Sequence, residues 1–260
     1  MIIRSIIKMV YFRLLSLYVS LFLKSRKVKS LNDLLIKKKN ILIIGKGKSL
    51  LSIPDEKLLS LLNNSDFTIL CSSVDIKNHH ILEKYNYDVQ VVAKFDKHLT
   101  KSNVYPKTFF EQGVVKNLCI NASSMQNNGY DFYLFYTKYK NYKIPLFCTD
   151  NGVNLVSSDA SLYGGIGLTM VQSIISNVLS SNIESITLLG VDFYGTGYMH
   201  EELPEKYTKS YIQNVEDSVN SRKTRGIPLI KYLIALCNTK DFARKCKLNL
   251  PIEVKKFIPE

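Results

Sequence analysis

The stretch Ile183–Tyr198 (IESITLLGVDFYGTGY) constrains this chain most. An apolar, β-branched run stops at Gly190 and hands Asp192, Tyr194 and Tyr198 to a loop loosened by Gly195 and Gly197. Upstream, Ile41–Leu50 (ILIIGKGKSL) repeats the arrangement: an apolar run, a turn with two glycines, then a predicted helix. Apolar runs of this kind are buried strands, and an open α/β sheet binds its ligand just beyond the carboxyl ends of such strands. Two such ends on one sheet would make a nucleotide pocket.

The rest of the chain supplies the sheet. Ile41–Ile44, Phe67–Cys71, Val89–Ala93, Asn117–Ile120, Leu146–Cys148 and Ser185–Val191 are short apolar or β-branched runs, and each predicts a strand. Helical stretches fall between them. Asp55–Leu62 follows the start signal Pro54, and Ile166, Met170, Val171, Ile174, Ile175, Val178 and Leu179 recur at helical spacing. Ile227–Leu236 is a third, with Pro228 tolerated in its first turn. Strands alternating with helices predict an α/β fold with a mostly parallel, doubly wound sheet. No internal repeat or Pro/Gly/Ser-rich linker divides it, so residues 40–260 are expected to form one domain.

With 260 residues and 46% hydrophobic content, the chain can bury a sizeable core. The five cysteines (Cys71, Cys119, Cys148, Cys237, Cys246) are widely spaced and sit mostly in apolar surroundings, as buried free thiols of a reducing compartment do. His79 and His80 are adjacent while His98 and His200 stand alone, so no cluster has metal-ligand spacing and no metal is expected.

The net charge of +13 is concentrated at the front. Residues 1–40 hold ten Lys/Arg against the single acid Asp33; the remaining 220 hold 25 against 21. Within the front segment, Ile6–Leu23 is apolar but interrupted by Lys8 and Arg13, leaving only Leu14–Leu23 unbroken. Ten residues are too few for a bilayer core that needs about 20. Residues 1–39 are therefore expected to be a membrane-associating helix and a basic linker, with Lys24–Lys29 and Lys37–Lys39 facing anionic lipid. A signal peptide, a tilted anchor, or a helix packed on the domain or on a second subunit are the alternatives.

The first glycine turn, Gly45-Lys46-Gly47-Lys48-Ser49, meets two familiar patterns halfway. A dinucleotide-binding fingerprint needs a third glycine where Leu50 stands, and a P-loop would need its first glycine at Leu42, inside the strand. The physical expectation is that small residues let backbone N–H groups approach a phosphate, with Lys46 or Lys48 adding charge; a plain tight turn is the alternative. In the second loop, Tyr194 and Tyr198 are two phenols four residues apart that could converge on one anion, or could simply pack. Asp192 either accepts hydrogen bonds from a sugar or caps a turn.

These two segments resemble the bacterial sialyltransferases of glycosyltransferase family 42. Gly45–Leu50 is similar to that family's G-x-G-x-S-L turn, and Ile186–Tyr194 with Tyr198 to its I-x-L-x-G-[IV]-D-F-Y signature. The turn at Gly164-Gly165 and the helix after it resemble the family's lead into the signature strand, so the likeness spans about residues 40–200. It implies a GT-A-variant Rossmann-like domain that takes a CMP-sugar as donor substrate, needs no metal or other cofactor, and inverts at the anomeric carbon. It also implies that Tyr194 and Tyr198 hold the donor phosphate, with Gly45, Lys46, Gly47, Ser49, Ser72, Gly165, Gly190 and Asp192 around the donor. The chain has no D-x-D pair, the usual metal–nucleotide motif of other glycosyltransferases. Lys46 and Cys71-Ser72 stand where the family has asparagines. The family's base histidine lies before a helix comparable to Ile227–Leu236, yet no histidine follows His200 here and Ser221 falls near that place.

His200, beside Glu201 and Glu202, is the expected general base, because imidazole accepts a proton near neutral pH and a neighbouring carboxylate raises its basicity. A strand, G-x-D and a nearby histidine also occur in flagellin-modifying and pterin-pyrophosphokinase-like proteins, which form one alternative family; a non-catalytic nucleotide- or glycan-binding subunit is another. Near the C-terminus, Arg222, Lys223, Arg225, Lys231, Lys240, Arg244, Lys245 and Lys247 are opposed between Val219 and Leu250 only by Asp241. They are read as a solvated face or a surface for a phosphate-bearing acceptor; no nucleic-acid-reading motif occurs. The expectation is a cytoplasmic transferase, peripheral on the inner face of a bacterial membrane, that moves sialic acid or a related nonulosonic acid to a lipooligosaccharide or capsule glycan.

Overall fold

Ile41, Leu42, Ile43 and Ile44 are each no more than 1% exposed, as a strand covered on both faces must be. They form the centre of the sheet. The computed structural model describes residues 29–45, 47–71, 79–92, 114–120, 146–148, 183–192 and 246–250, together with helical positions at 10, 14, 171, 174 and 175. Eight strands follow in chain order: β1 (Lys29–Ser30), β2 (Asn40–Ile44), β3 (Phe67–Cys71), β4 (Tyr87–Val92), β5 (Val115–Ile120), β6 (Leu146–Cys148), β7 (Ser185–Leu189) and β8 (Lys247–Asn249). They pair in the order β1-β6-β5-β4-β3-β2-β7-β8, and every pairing among them is parallel. The fold is α/β and Rossmann-like.

That order places the site. From β2 the chain steps outward through β3, β4, β5 and β6, then returns to the other side of β2 as β7. The direction reverses between β2 and β7, and a crevice opens at such a reversal above the carboxyl ends of the strands. Register there is explicit, with Ile44 opposite Leu189.

Both faces of the sheet are covered. Ile41, Ile43, Ile69, Val89, Val91, Ile186 and Leu188 share one core cluster with Leu31, Leu35, Val171, Ile174 and Ile175. Leu42, Ile44 and Leu70 alternate to the other side and are equally buried, as are Leu58 and Leu62 of α2 (Asp55–Asn63), which follows Pro54. Each such leucine or isoleucine contributes roughly 1.5–3 kcal/mol of burial. The helix expected around Ile166–Leu179 is met at Val171, Ile174 and Ile175, which are helical and buried; Ile227–Leu236 lies outside the described residues. Cys71, Cys119 and Cys246 are buried and form no disulfide, and burial raises the Cys71 thiol to about 12 and that of Cys246 to about 11.

One expectation needs correcting, the boundary at residue 39. β1 pairs with β6, and α1 (Leu31–Leu35) starts from a capping box in which Asn32 N donates to Ser30 Oγ and Ser30 N donates to Asp33 Oδ2. Leu31 and Leu35 are fully buried, so residues 29–35 belong to the domain. The basic run Lys37–Lys39 leads from α1 into β2. Lys39 Nζ pairs with Glu184 at 2.5 Å, its N–H donates to Asp66, and Lys38 Nζ lies 5.9 Å from the Phe67 ring centre. Lys38 and Lys39 make these contacts at the amino ends of the strands, opposite the crevice. Asp66 also accepts from Asn40 N at 2.9 Å, which holds its carboxyl below the usual range.

Candidate functional site

β2 ends at Ile44 and β7 at Leu189, but the pairing continues past both. Gly45 N donates to Leu189 O and Gly47 N to Gly190 O, each at 2.7 Å. The chain then has to leave the sheet sharply, and Gly190 does so at φ +59°, a region that costs an L-residue roughly 1–2 kcal/mol. Space is as restrictive as conformation. A Cβ on Gly45 would run into the Gly190 carbonyl, one on Gly47 into the Asp192 carboxylate, and one on Gly190 would lie 2.7 Å from Leu50 Cδ1. The three glycines let two strand ends interlock.

Asp192 completes the corner. It is 6% exposed, its Oδ2 accepts from Ser49 N at 2.8 Å, and its Oδ1 accepts from Ser49 Oγ. Ser49 lies in a 3₁₀ turn, Lys48–Ser52, whose N-cap is Gly47 and therefore offers no side chain to cap it. A carboxylate from 143 residues away fills that role. Asp192 thus caps this turn.

Four N–H groups of the glycine turn have partners within the protein. N–H groups of Gly45, Gly47 and Ser49 donate as described, and Leu50 N donates to Gly47 O at 3.2 Å. These four donors serve the protein's own acceptors, and the glycines serve close packing between strand ends.

Of the residues singled out in the sequence, Gly45, Gly47, Ser49, Gly190 and Asp192 come together at the switch point. Lys46, Ser72, Gly165, Tyr194, Tyr198 and His200 lie outside the described residues. In the chain, Ser72 directly follows Cys71, the last residue of β3, and Tyr194 is two residues past Asp192. Leu50, fully buried against Gly190, was not singled out; its apolar character at the place of a third glycine was the available signal.

One further pair lies near this rim. His80 Nε2 is 2.8 Å from Asp55 Oδ2, and the His79 ring stacks on His80 at 5.3 Å. Asp55 begins α2 and Tyr85 OH donates to Leu62 O near its end, so residues 80–85 descend alongside α2 from the crevice side. His79 is buried, and burial first, then the neighbouring His80, lowers its pKa below the usual histidine value. Among the described residues, no group of three or more His, Cys, Asp or Glu side chains is placed to hold a metal.

No family model matches the chain, and no curated protein does. Among solved structures it is similar to the sialyltransferase CST-II, a tyrosine-to-phenylalanine variant in complex with CMP, at 17% identity and a TM-score of 0.51, covering 85% of each chain. It is also similar to an alpha-2,3-sialyltransferase from Campylobacter jejuni in apo form, at 15% identity and a TM-score of 0.33, covering 71% of this chain and 72% of that one. The first likeness bears out the fold expected from the sequence.

Proposed function

We propose that the chain is a glycosyltransferase that moves sialic acid or a related nonulosonic acid from a CMP-sugar to a cell-surface glycan acceptor. The observation that carries this reading is the interlocked glycine corner at the β2/β7 switch point, in a chain that shares the fold of a sialyltransferase bound to CMP. In the chain, Tyr194 and Tyr198 follow this corner directly. In the proposed reaction the acceptor hydroxyl displaces CMP at the anomeric carbon without a metal, a base takes the hydroxyl proton, and the two phenols donate hydrogen bonds to the departing phosphate.

The test starts from binding: CMP is expected to raise the unfolding temperature more than CDP, UDP, GDP or ATP. Tyr194→Phe and Tyr198→Phe are each expected to lower transfer from CMP-sialic acid with the fold intact. The loss is about 10²–10³-fold where such a donor is preorganised, and less for a partly exposed phenol. Wild-type turnover in the double variant would remove the tyrosines from the mechanism. CMP binding with no transfer of any nonulosonic acid would favour the binding-subunit reading.

The same proposal places the protein on the inner face of the membrane. Val10 and Leu14 are helical, one turn apart, and 48% and 62% exposed, within a segment of ten positive charges and one acid. That combination suits anionic lipid. Protein lacking residues 1–28 should fold and stay in the supernatant when the full chain sediments with anionic vesicles. Equal sedimentation of both would end the membrane assignment.

A further inference from the structure

We propose that Asp192 and Ser49 form a clamp that positions the two walls of the donor crevice, a role that rests on the CMP-sugar reading above. The pair joins elements that are neighbours in space but 143 residues apart in the chain. On one side is the turn after β2, and on the other the segment that runs from β7 toward Tyr194. Ser49 presents two donors, its N–H and its hydroxyl, to two different carboxylate oxygens. Only a carboxylate offers acceptors on both atoms; an asparagine of the same shape would turn an NH₂ toward one of the donors. Gly47 fits the same requirement, since any Cβ there would occupy the place of the carboxylate. Gly47, Ser49 and Asp192 therefore act as one unit, with two residues forming the bond and one leaving room for it.

Three dissimilar substitutions should consequently converge on one defect. Asp192→Asn and Ser49→Ala each remove part of the clamp, and Gly47→Ala pushes the carboxylate away from it. Each should weaken CMP binding in the full chain by about tenfold to a hundredfold, the range for one lost hydrogen bond to a charged group. The Asp192→Asn/Ser49→Ala double variant should be no weaker than the worse single variant, because residues acting as a unit are not additive. Ser49→Thr keeps both donors and should restore affinity. Calorimetric CMP titration reads affinity, and urea unfolding of the same proteins reads stability. Loss of stability with unchanged CMP affinity would reduce the pair to a structural cap and overturn the positioning role. Strict additivity of the two single substitutions would overturn it too. A wild type that binds no CMP overturns the sugar-nucleotide reading and this role together, whereas tight wild-type binding with equally tight binding by all three variants overturns the clamp alone.

Discussion

Replacing Gly190 by valine is expected to lower stability by about 2–5 kcal/mol. Two costs add at this position. The backbone is held at φ +59°, where an ordinary L-residue costs roughly 1–2 kcal/mol and a β-branched one more. The new side chain would also meet Leu50 Cδ1 at 2.7 Å and the Gly45 carbonyl at 2.9 Å, and overpacking of this kind typically costs about 1–3 kcal/mol. Leu50 has little freedom to retreat because it is itself fully buried. Domains are commonly stable by only about 5–15 kcal/mol, so the variant should lose a large share of its margin. Urea unfolding followed by circular dichroism measures it, with Gly190→Ala as a milder point on the same scale. A valine variant with the wild-type midpoint would mean that the chain can leave β7 by another path.

The sequence made the inner strands visible and the outer ones invisible, for a physical reason. β2, β3 and β7 are paired on both sides and built mainly of buried apolar residues, and the readings at Phe67–Cys71 and Leu146–Cys148 match the observed bounds. β1 and β8 pair on one edge only, and Lys29–Ser30 and Lys247–Asn249 carry the polar, charged residues that suit a short sheet edge. In a basic stretch such a strand reads as linker, which is why the domain begins earlier than residue 40. The β7 run likewise reads through Val191, although the strand stops at Leu189 because Gly190 turns away.

The site shows a similar division. Paired glycine turns were legible because each follows a buried strand, and their position at a strand end is local information. The bond between Ser49 and Asp192 was not, since nothing at either position reports a partner 143 residues away. Physics could narrow Asp192 to two roles, but seeing the cap required the neighbouring turn whose N-cap is a glycine. The partners of the glycine turn were hidden for a related reason: composition shows that backbone N–H groups can be approached closely, not which acceptor approaches them. Here the approaching acceptors are Leu189 O, Gly190 O and Asp192.

His200→Ala is expected to depress sugar transfer by about 10²–10⁴-fold, the usual contribution of a general base, while CMP affinity stays near that of the wild type. The reasoning is chemical. Displacement at the anomeric carbon needs a group that takes the acceptor hydroxyl proton, an imidazole is suited to do so near neutral pH, and His200 is the histidine closest in the chain to Tyr198. Wild-type transfer should fall as the pH drops and imidazole is protonated, because the base must be unprotonated to act. Transfer from CMP-sialic acid between pH 5 and 9, measured beside CMP affinity, tests both statements. If His200→Ala transfers at the wild-type rate with the same pH profile, the base is another group.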